Sequence, residues 1–486
     1  MEKNKVEFHG GLFMSGIPMI IFLAFCISYF VIYKVFDMNA LALGGFIGLL
    51  IGALFTKSYG KYWDAVMRGI GSPTSVAIVV ILLVIGMFTK LMAVSGVSQG
   101  FVWLAEKIGM QGGIFTAFTF VATCLITSAT GSSIGTLFTA FPILYPAGIL
   151  LGANPGVLAG AILSGAIFGD NLAPISDVTI ASSSTQTYAN KEGAADLAGT
   201  VGYRLKYALI AGTISTILFI ALGGGGITTP GAEEILRANM NASGLIMLLP
   251  VAILLITSIR TRDIFKAVTA GIISGIIIGL IAKVFTVHDI LGIADGNVTG
   301  FLYNGFAGMI GICLFCISLF GIMGVLNDSG MMDAIIKSFC SSKIAQTEMG
   351  AEILIALGST ITTLLLGGVT SASVLTFGPV VNELGAYHNI HPYRRANLLS
   401  GYANSFAAII PFISAFVFIS SIVITPLQSQ YAYIPAISTV DIFMGSFYPM
   451  VLFLVLTYSI ITGWDRKYEG QQGELTSERI SKTYNK

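Results

Sequence analysis

Apolar segments of helical length, separated by short polar loops, run along almost the whole chain. In the first half they predict spans at 11–33, 39–56, 74–94, 112–127, 133–151, 156–188 and 205–224. In the second half they predict spans at 243–259, 265–284, 305–326, 350–367, 374–387, 395–425 and 442–463. Because one crossing of a bilayer takes about 20 predominantly apolar residues, the pattern predicts an all-α polytopic membrane protein.

The composition agrees with a membrane protein and limits the kinds of partner that the chain can bind. Hydrophobic residues make up 55% of the 486 residues and charged residues 10%, against about 25% charged residues in soluble domains. The net charge of +1 gives no sign of a nucleic-acid partner. From the hydropathy we expect the chain to lie in the lipid bilayer of the cell membrane. The sequence carries no nucleotide-binding motif and no catalytic constellation. It therefore favours a secondary transporter over an ATP-driven pump or an enzyme, with no cofactor besides the ions themselves.

The two halves of the chain share the spacing of their prolines. Three prolines of the first half have counterparts exactly 237 residues later, in segments of the same hydropathy: Pro142 and Pro379, Pro155 and Pro392, and Pro174 and Pro411. We therefore predict two structural repeats. The predicted order is a first membrane repeat, a polar connector, a second membrane repeat and a polar C-terminal tail, at 1–222, 223–242, 243–464 and 465–486.

Lysines and arginines in short loops indicate the orientation of the spans. Three groups of basic residues lie in such loops: Lys57, Lys61 and Arg68 after the second span, Arg260, Arg262 and Lys266 between the first two spans of the second half, and Arg466 and Lys467 after the last span. Placing all of them in the cytoplasm satisfies the positive-inside rule. The first span then runs outward, whereas its counterpart at 243–259 runs inward. The repeats are thus predicted to be inverted, with both termini cytoplasmic, an arrangement that supports alternating access.

Two carboxylates end a long uncharged stretch. No charged residue occurs from Ile108 to Gly169, and the run GDNLAPISDVT then brings Asp170 and Asp177 on either side of Pro174. Intramembrane carboxylates usually line ion or substrate pathways, and a proline breaks a helix. We expect a cation- or proton-binding site at this break, with Na⁺ held by the two aspartates and further oxygens from neighbouring side chains: Asp170, Asn171, Ser176, Asp177 and Thr179.

Two hydroxyl-rich turns interrupt apolar segments at corresponding places. They read TSATGSS in the first half and GGVTSAS in the second. Glycine allows the chain to turn, and hydroxyls satisfy freed backbone groups, so we expect re-entrant hairpin tips buried in protein. Their hydroxyls, with polar groups beside Pro411, predict a substrate site or a second cation site: Thr130, Ser132, Ser133, Thr370, Ser371, Ser373, Asn404 and Ser405. In the second half Ala407 and Ser414 stand where Asp170 and Asp177 stand in the first, so the halves are chemically unequal.

Plainer roles compete with these assignments. A single hydroxyl in a membrane helix often bonds to its own backbone, and Asp177 beside a helix start has the position of a cap. Arg394 and Arg395 fall near the end of a span, where snorkelling or interfacial anchoring is the usual role, although they are also placed to attract an anionic substrate. His388 and His391 fall in a loop.

The motif around Pro174 resembles a known family. GDNLAPISDVTIASSSTQT is similar to the signature of the NhaC-type sodium/proton antiporter family of the ion-transporter superfamily, with Val178 as a small departure, and GTVGYRLKYAL resembles its basic segment. The resemblance implies inverted repeats with hairpins and broken helices, and a homodimer. It does not fix the substrate, because relatives include malate/lactate exchangers and amino-acid carriers.

Two functions remain open on the sequence. In the first, Na⁺ is exchanged for H⁺ by alternating access, and the two cations compete for Asp170 and Asp177. In the second, Na⁺ or H⁺ drives a carrier or exchanger of an amino acid or small organic acid, with the acidic half holding the coupling ion and the hairpin tips holding the solute.

The predicted topology has a direct test. Single cysteines are introduced at Glu234, in the connector, and at Arg262, in a basic loop, in a background without the five native cysteines. A membrane-impermeant thiol reagent added outside intact cells should label the cysteine at 234 and leave that at 262 unlabelled until the cells are opened. The reverse pattern would contradict the inverted arrangement.

Overall fold

The computed structural model describes residues 5–29, 33, 38–174, 176–225, 234, 237–238, 240–261, 263–294, 296–331, 334 and 343–478. Most of the predicted connector and Arg262 lie outside the described residues. Nearly all regular structure in the described part is helical, in agreement with the predicted class.

The helices are numbered here in chain order. In the first half they are α1 (Ile17–Ile27), α2 (Met38–Ala53), α3 (Tyr59–Ile70), α4 (Pro73–Val94), α5 (Val97–Lys107), α6 (Gly112–Thr130), α7 (Ser133–Leu150), α8 (Pro155–Leu172), α9 (Asp177–Ser184) and α10 (Leu197–Leu222). In the second half they are α11 (Leu248–Thr261), α12 (Ile264–Ile281), α13 (Val287–Ile290), α14 (Phe301–Ala307), α15 (Ile310–Ser329), α16 (Glu348–Leu365), α17 (Thr370–Tyr387), α18 (Pro392–Ala403), α19 (Ala415–Gln430), α20 (Thr439–Gly445) and α21 (Phe447–Thr462).

Shorter elements complete the list. Turns of 3₁₀ helix occupy Leu12–Gly16, Ala242–Met247, Lys343–Gln346 and Phe406–Ile409. Two small antiparallel hairpins pair β1 (Gly292–Ala294) with β2 (Asn297–Thr299) and β3 (Tyr468–Glu469) with β4 (Leu475–Thr476).

Both predicted helix breaks are confirmed. The first span ends as α8 at Leu172 and resumes as α9 at Asp177, with Pro174 between them. The second ends as α18 at Ala403 and, after a turn of 3₁₀ helix, resumes as α19 at Ala415. Proline has no N–H to donate and its ring clashes with the preceding turn, which contributes to both breaks. Proline alone does not determine them, because other prolines lie inside helices: Pro142, Pro146, Pro379 and Pro426.

The two predicted turns are also present. α6 ends at Thr130 and is followed by Gly131, whose φ of 66° is in the left-handed region, and Ser132 then caps α7. α16 is followed by Gly367 and Gly368, with φ of 65° and 77°, before α17 begins at Thr370. A residue with a β-carbon is strained at such φ values, which explains the glycine at each tip. That the two hairpins are re-entrant, and that the repeats are inverted, stays a prediction.

Fewer helices meet a strict criterion for a membrane span than the hydropathy pattern suggested. Within the described residues, four runs are long and apolar enough to cross a membrane: Ser133–Leu150, Pro155–Ser184, Leu197–Leu222 and Glu348–Leu365. The number rises to six if each of two bent helix pairs counts as one span, among them α4 with α5, which bend by 52°. Seven further apolar helices within the described residues are shorter, at 10–17 residues.

Contacts divide the chain into two compact units. Unit 1 contains residues 1–169, 216–331 and 416–447. In it α15 packs against α2 and α3, and Gly324 lies so close to α3 that a β-carbon there would be 2.2 Å from the carbonyl oxygen of Ala65. Close helix packing through small residues is typical of membrane bundles.

Unit 2 contains residues 170–215, 332–415 and 448–486. It holds α9, α16, α17 and α18, and the hairpin of β3 and β4 packs onto its loops. Buried Glu469 in β3 accepts hydrogen bonds from the backbone N–H groups of Ala189, at 2.9 and 3.0 Å, and Asn190, at 2.7 Å. The boundaries of the two predicted repeats, at 222, 242 and 464, stay a prediction, because a division of the chain by contacts does not test whether two segments are repeats of each other.

The expectation that Arg394 and Arg395 anchor at an interface is wrong. Both side chains are 0% exposed. Arg394 Nε donates to Glu352 Oε1 at 2.8 Å, while Arg466 Nη2 donates to Glu352 Oε2 at 2.7 Å. Arg395 donates to Asn382 Oδ1 at 2.8 Å and to the carbonyl oxygen of Thr187 at 2.8 Å. Partners distant in sequence turn both arginines inward.

Glu352 is the carboxylate on which this buried network depends. Replacing it, as Glu352→Gln, keeps the shape but leaves two guanidinium groups without their counter-charge, and breaking a buried pair costs about 3–5 kcal/mol. We expect a clearly lower thermal midpoint in detergent, measured by a fluorescence melting curve. Glu7→Gln, which removes the exposed pair with Lys57, is the control and should melt like the native protein. Equal midpoints for both variants would contradict a stabilising role.

Candidate cation and solute site

Asp170 lies at the C-terminal end of α8, where the helix breaks. Its side chain is 5% exposed, and Ser176 Oγ donates a hydrogen bond to Asp170 Oδ1 at 2.7 Å. The same Ser176 oxygen accepts from the backbone N–H of Val178 at 3.2 Å and so caps α9. The hydroxyl therefore links the buried carboxylate to the start of the second half of the broken helix.

Arg204 on α10 was not singled out from the sequence, and it is the main positive charge at this break. Its side chain is 0% exposed. Nη1 donates to the carbonyl oxygen of Asn171 at 2.6 Å and to Thr179 Oγ1 at 3.2 Å, and Nη2 donates to Ser182 Oγ at 3.0 Å. The charge of Asp170 acts on Arg204 electrostatically. The only sequence signal was a basic residue inside an apolar segment.

Asp177 occupies a different environment from Asp170. It is the first residue of α9, directly after the capping Ser176, and its side chain is exposed. A negative charge is stabilised at a helix N-terminus by the helix dipole. Asp170 is thus buried at the end of one helix, whereas Asp177 is exposed at the start of the next.

The hydroxyls at the first tip bond locally. Ser132 Oγ accepts from the N–H of Gly135 at 3.1 Å. Thr130 Oγ1 accepts from the N–H of Ser132 at 3.4 Å and lies 3.4 Å from Thr136 Oγ1, and Ser133 is buried. A small, partly open pocket lies against this tip within unit 1, lined in part by Thr130 and Thr136.

The second tip is held against the start of α19. The backbone N–H of Ala415 donates to the carbonyl oxygen of Gly367 at 3.1 Å. Thr370 begins α17 and is buried, Ser371 is half-buried, and Ser373 Oγ accepts from Thr363 Oγ1 at 2.8 Å. Most of these hydroxyls serve the packing of the tip.

Asn404 and Ser405 follow α18 directly. Ser405 Oγ donates to the carbonyl oxygen of Tyr402 at 2.8 Å. Asn404 is 0% exposed, and neither atom of its amide has a hydrogen-bond partner among the described residues. One turn earlier on α18, Ser400 Oγ donates to Asn171 Oδ1 at 3.4 Å. The structure thus brings α18 against the end of α8.

The nearby histidine does not suit a proton relay. Burial lowers the pKa of His391, just before α18, to about 4, so the ring is neutral at physiological pH. In the loop before α10, a hydrogen bond from the Tyr393 hydroxyl lowers the pKa of Asp196. In the described part of the chain no three His, Cys, Asp or Glu side chains group as a metal site.

Comparisons with known proteins agree with the motif at the break. Residues 6–224 match the model of the Na⁺/H⁺ antiporter family. The malate-2H(+)/Na(+)-lactate antiporter of Bacillus subtilis is 27% identical, with 68% of this chain and 71% of that protein aligned. The Na(+)/H(+) antiporter NhaC of Alkalihalophilus pseudofirmus is 25% identical over 60% and 65% of the two chains.

Two further similarities cover more of the chain. The arginine/ornithine antiporter ArcD of Halobacterium salinarum is 24% identical over 86% of each chain. The solved structure of the YdaH transporter of Alcanivorax borkumensis aligns with 92% of this chain and 99% of its own, at 15% identity and a TM-score of 0.41. Over residues 6–224 the chain is similar to the Na⁺/H⁺ antiporter family, and the relatives that it resembles along more of its length are membrane antiporters, NhaC among them.

Proposed function

We propose that the chain exchanges Na⁺ for H⁺ by alternating access, with Asp170 as the carboxylate that binds either cation. The observation that carries the proposal is a buried carboxylate at a helix break, hydrogen-bonded across that break by Ser176 at 2.7 Å. Either a proton or a Na⁺ ion neutralises such a group, and only one of them can occupy it at a time. This competition couples the two fluxes.

The oxygens around Asp170 suit a weakly held alkali cation. Hard cations prefer oxygen ligands, and the break supplies the carboxylate of Asp170, the hydroxyls of Ser176 and Thr179 and the amide oxygen of Asn171. Thr179 Oγ1 is also an acceptor for Arg204. A fixed positive charge beside the carboxylate weakens cation binding, which favours release on the far side of the membrane.

Asp177 is proposed as the second acid of the same pathway. Its exposed position at the start of α9 places a charge where an entering cation is still partly hydrated. In this proposal Asp177 attracts the cation at the entrance and Asp170 holds it in the interior. Within unit 2, the hydroxyls of the second tip with Asn404 and Ser405 remain proposed as a second site for a cation or solute. Within unit 1, the hydroxyls of the first tip are a separate proposal of the same kind.

The arrangement of the chain in the membrane belongs to the same proposal. Alternating access between two inverted repeats requires both termini on one side, and the basic loops favour the cytoplasmic side. A homodimer is proposed from the family resemblance.

A second function has its own support. Cation-coupled exchange of an amino acid or small organic acid is favoured by the buried, unpartnered amide of Asn404, because a neutral polar group suits a solute better than a proton. Two of the relatives are a malate-2H(+)/Na(+)-lactate antiporter and an arginine/ornithine antiporter.

Flux measurements on purified protein in acid-loaded proteoliposomes distinguish these functions. Na⁺ alone should drive protons out, as a pH-sensitive dye inside the vesicles reports. Asp170→Asn keeps the size but removes the exchangeable charge, so Na⁺-driven proton efflux should be abolished. Asp177→Asn should at least raise the Na⁺ concentration needed for half-maximal efflux.

Asp64→Asn, an exposed acid on α3, is the matched control and should transport normally. Native-like efflux in the Asp170/Asp177 double variant, at equal protein level, would refute the site. Silence of the native protein with Na⁺ alone, followed by a response once an organic solute is supplied, would favour the second function.

The link between Ser176 and Asp170 can be tested separately. Ser176→Ala removes a helix cap, worth about 1 kcal/mol, and a hydrogen bond to a carboxylate, worth about 1.5–3 kcal/mol. We expect a lower melting temperature and altered Na⁺ affinity, whereas Ser176→Thr should retain both functions of the hydroxyl. Ser72→Ala removes only the cap of α4 and should leave Na⁺ affinity unchanged. If Ser176→Ala matches Ser72→Ala in both measurements, the bond to Asp170 has no role in transport.

A further inference from the structure

Unpartnered polar groups of unit 2 collect on one side of the helix break. Asn397 on α18 and Asn404 at its C-cap lie three residues before and four residues after Ser400, so all three lie on one side of the helix. Ser400 contacts Asn171 at 3.4 Å, and Arg204 Nη2 donates to the carbonyl oxygen next to Asn397, at 3.4 Å. The three asparagines and Arg204 therefore border one region.

Each of these four side chains has an N–H group without an acceptor. Arg204 Nε, Asn171 Nδ2, Asn397 Nδ2 and Asn404 Nδ2 are buried and have no hydrogen-bond partner among the described residues. The side chains are no more than 1% exposed. A buried polar group left unpaired costs about 1–3 kcal/mol, so four beside one another indicate that a ligand with acceptor atoms completes the set.

We propose that this cluster binds the carboxylate group of a small organic solute. A carboxylate offers two acceptor oxygens with about four lone-pair directions, which matches the donors. Rotating the side-chain amide of an asparagine by 180° exchanges its N–H donor for its carbonyl acceptor. The Nε–H of Arg204 is a donor in every orientation, so it still needs an acceptor. Its positive charge selects an anionic acceptor and opposes a second metal cation.

The same cluster provides for a second group on the solute. Asn404 Oδ1 is also buried and unpartnered, so it accepts a hydrogen bond from a hydroxyl or ammonium group next to the carboxylate. This assignment gives a 2-hydroxy or 2-amino acid as the solute class. It rests on the proposed function in one respect, namely that Asp170, adjacent in sequence to Asn171, holds the coupling cation.

Ligand-induced stabilisation of the full-length protein in detergent tests the site. The probes are L-lactate, L-malate and L-alanine as sodium salts or zwitterion, against the neutral analogues lactamide and propane-1,2-diol at equal ionic strength. At least one acid should raise the melting temperature in a saturable way, and neither neutral analogue should.

Two isosteric variants place a negative charge in the cluster. Asn404→Asp and Asn397→Asp should each weaken the apparent affinity for the acid by at least about tenfold, since one lost hydrogen bond to a charged group is worth a factor of that order. Asn154→Asp, at the cap of α8 in unit 1, is the matched control and should bind the acid like the native protein. Using two positions keeps the test open if one variant does not fold.

Na⁺-driven proton efflux, measured on the same preparations, separates the two proposals. Efflux with no stabilisation by any acid overturns the carboxylate site and leaves Na⁺/H⁺ exchange standing. Stabilisation that is unchanged in both aspartate variants also overturns it. Stabilisation lost in those variants supports the site, whether or not Na⁺ alone drives efflux.

Discussion

The guanidinium group of Arg204 is the contact on which the broken helix depends. A helix that stops inside a membrane leaves carbonyl groups without partners, and Arg204 donates to one of them, on Asn171, while also bonding two hydroxyls of α9. One charged side chain on α10 thus joins both halves of the break. The charge that stabilises the break also sets the electrostatic environment of Asp170, so fold and chemistry share one residue.

Local covalent structure made much of this fold predictable. Proline and glycine act through their own backbone geometry, so Pro174 and the glycines of the two tips marked the breaks and turns without knowledge of the tertiary structure. Hydropathy placed the apolar helices to within a few residues. It did not mark sharp bends, such as the 51° bend between α20 and α21, because a bend divides a helix and leaves its mean hydropathy unchanged.

The candidate site was only half predictable for a related reason. Asp170 and Ser176 are six residues apart and meet across a local break, so their pairing follows from the motif. Arg204 meets Asn171 from 33 residues away, and Arg394 meets Glu352 from 42 residues away. Snorkelling is the default for an arginine near a span end, and it fails where a distant carbonyl or carboxylate supplies a better partner. Tertiary pairing of this kind leaves no periodic signal in the sequence.

The hairpin of β3 and β4 has a consequence for how the protein is made. Glu469 caps the loop that follows α9, and that loop is complete about 280 residues earlier in the chain. During synthesis the N–H groups of Ala189 and Asn190 have no access to this acceptor until the segment that contains Glu469 has left the ribosome. The loop after α9 therefore reaches its final structure only at the end of translation, and a chain cut short before this hairpin leaves these two N–H groups without the carboxylate of Glu469.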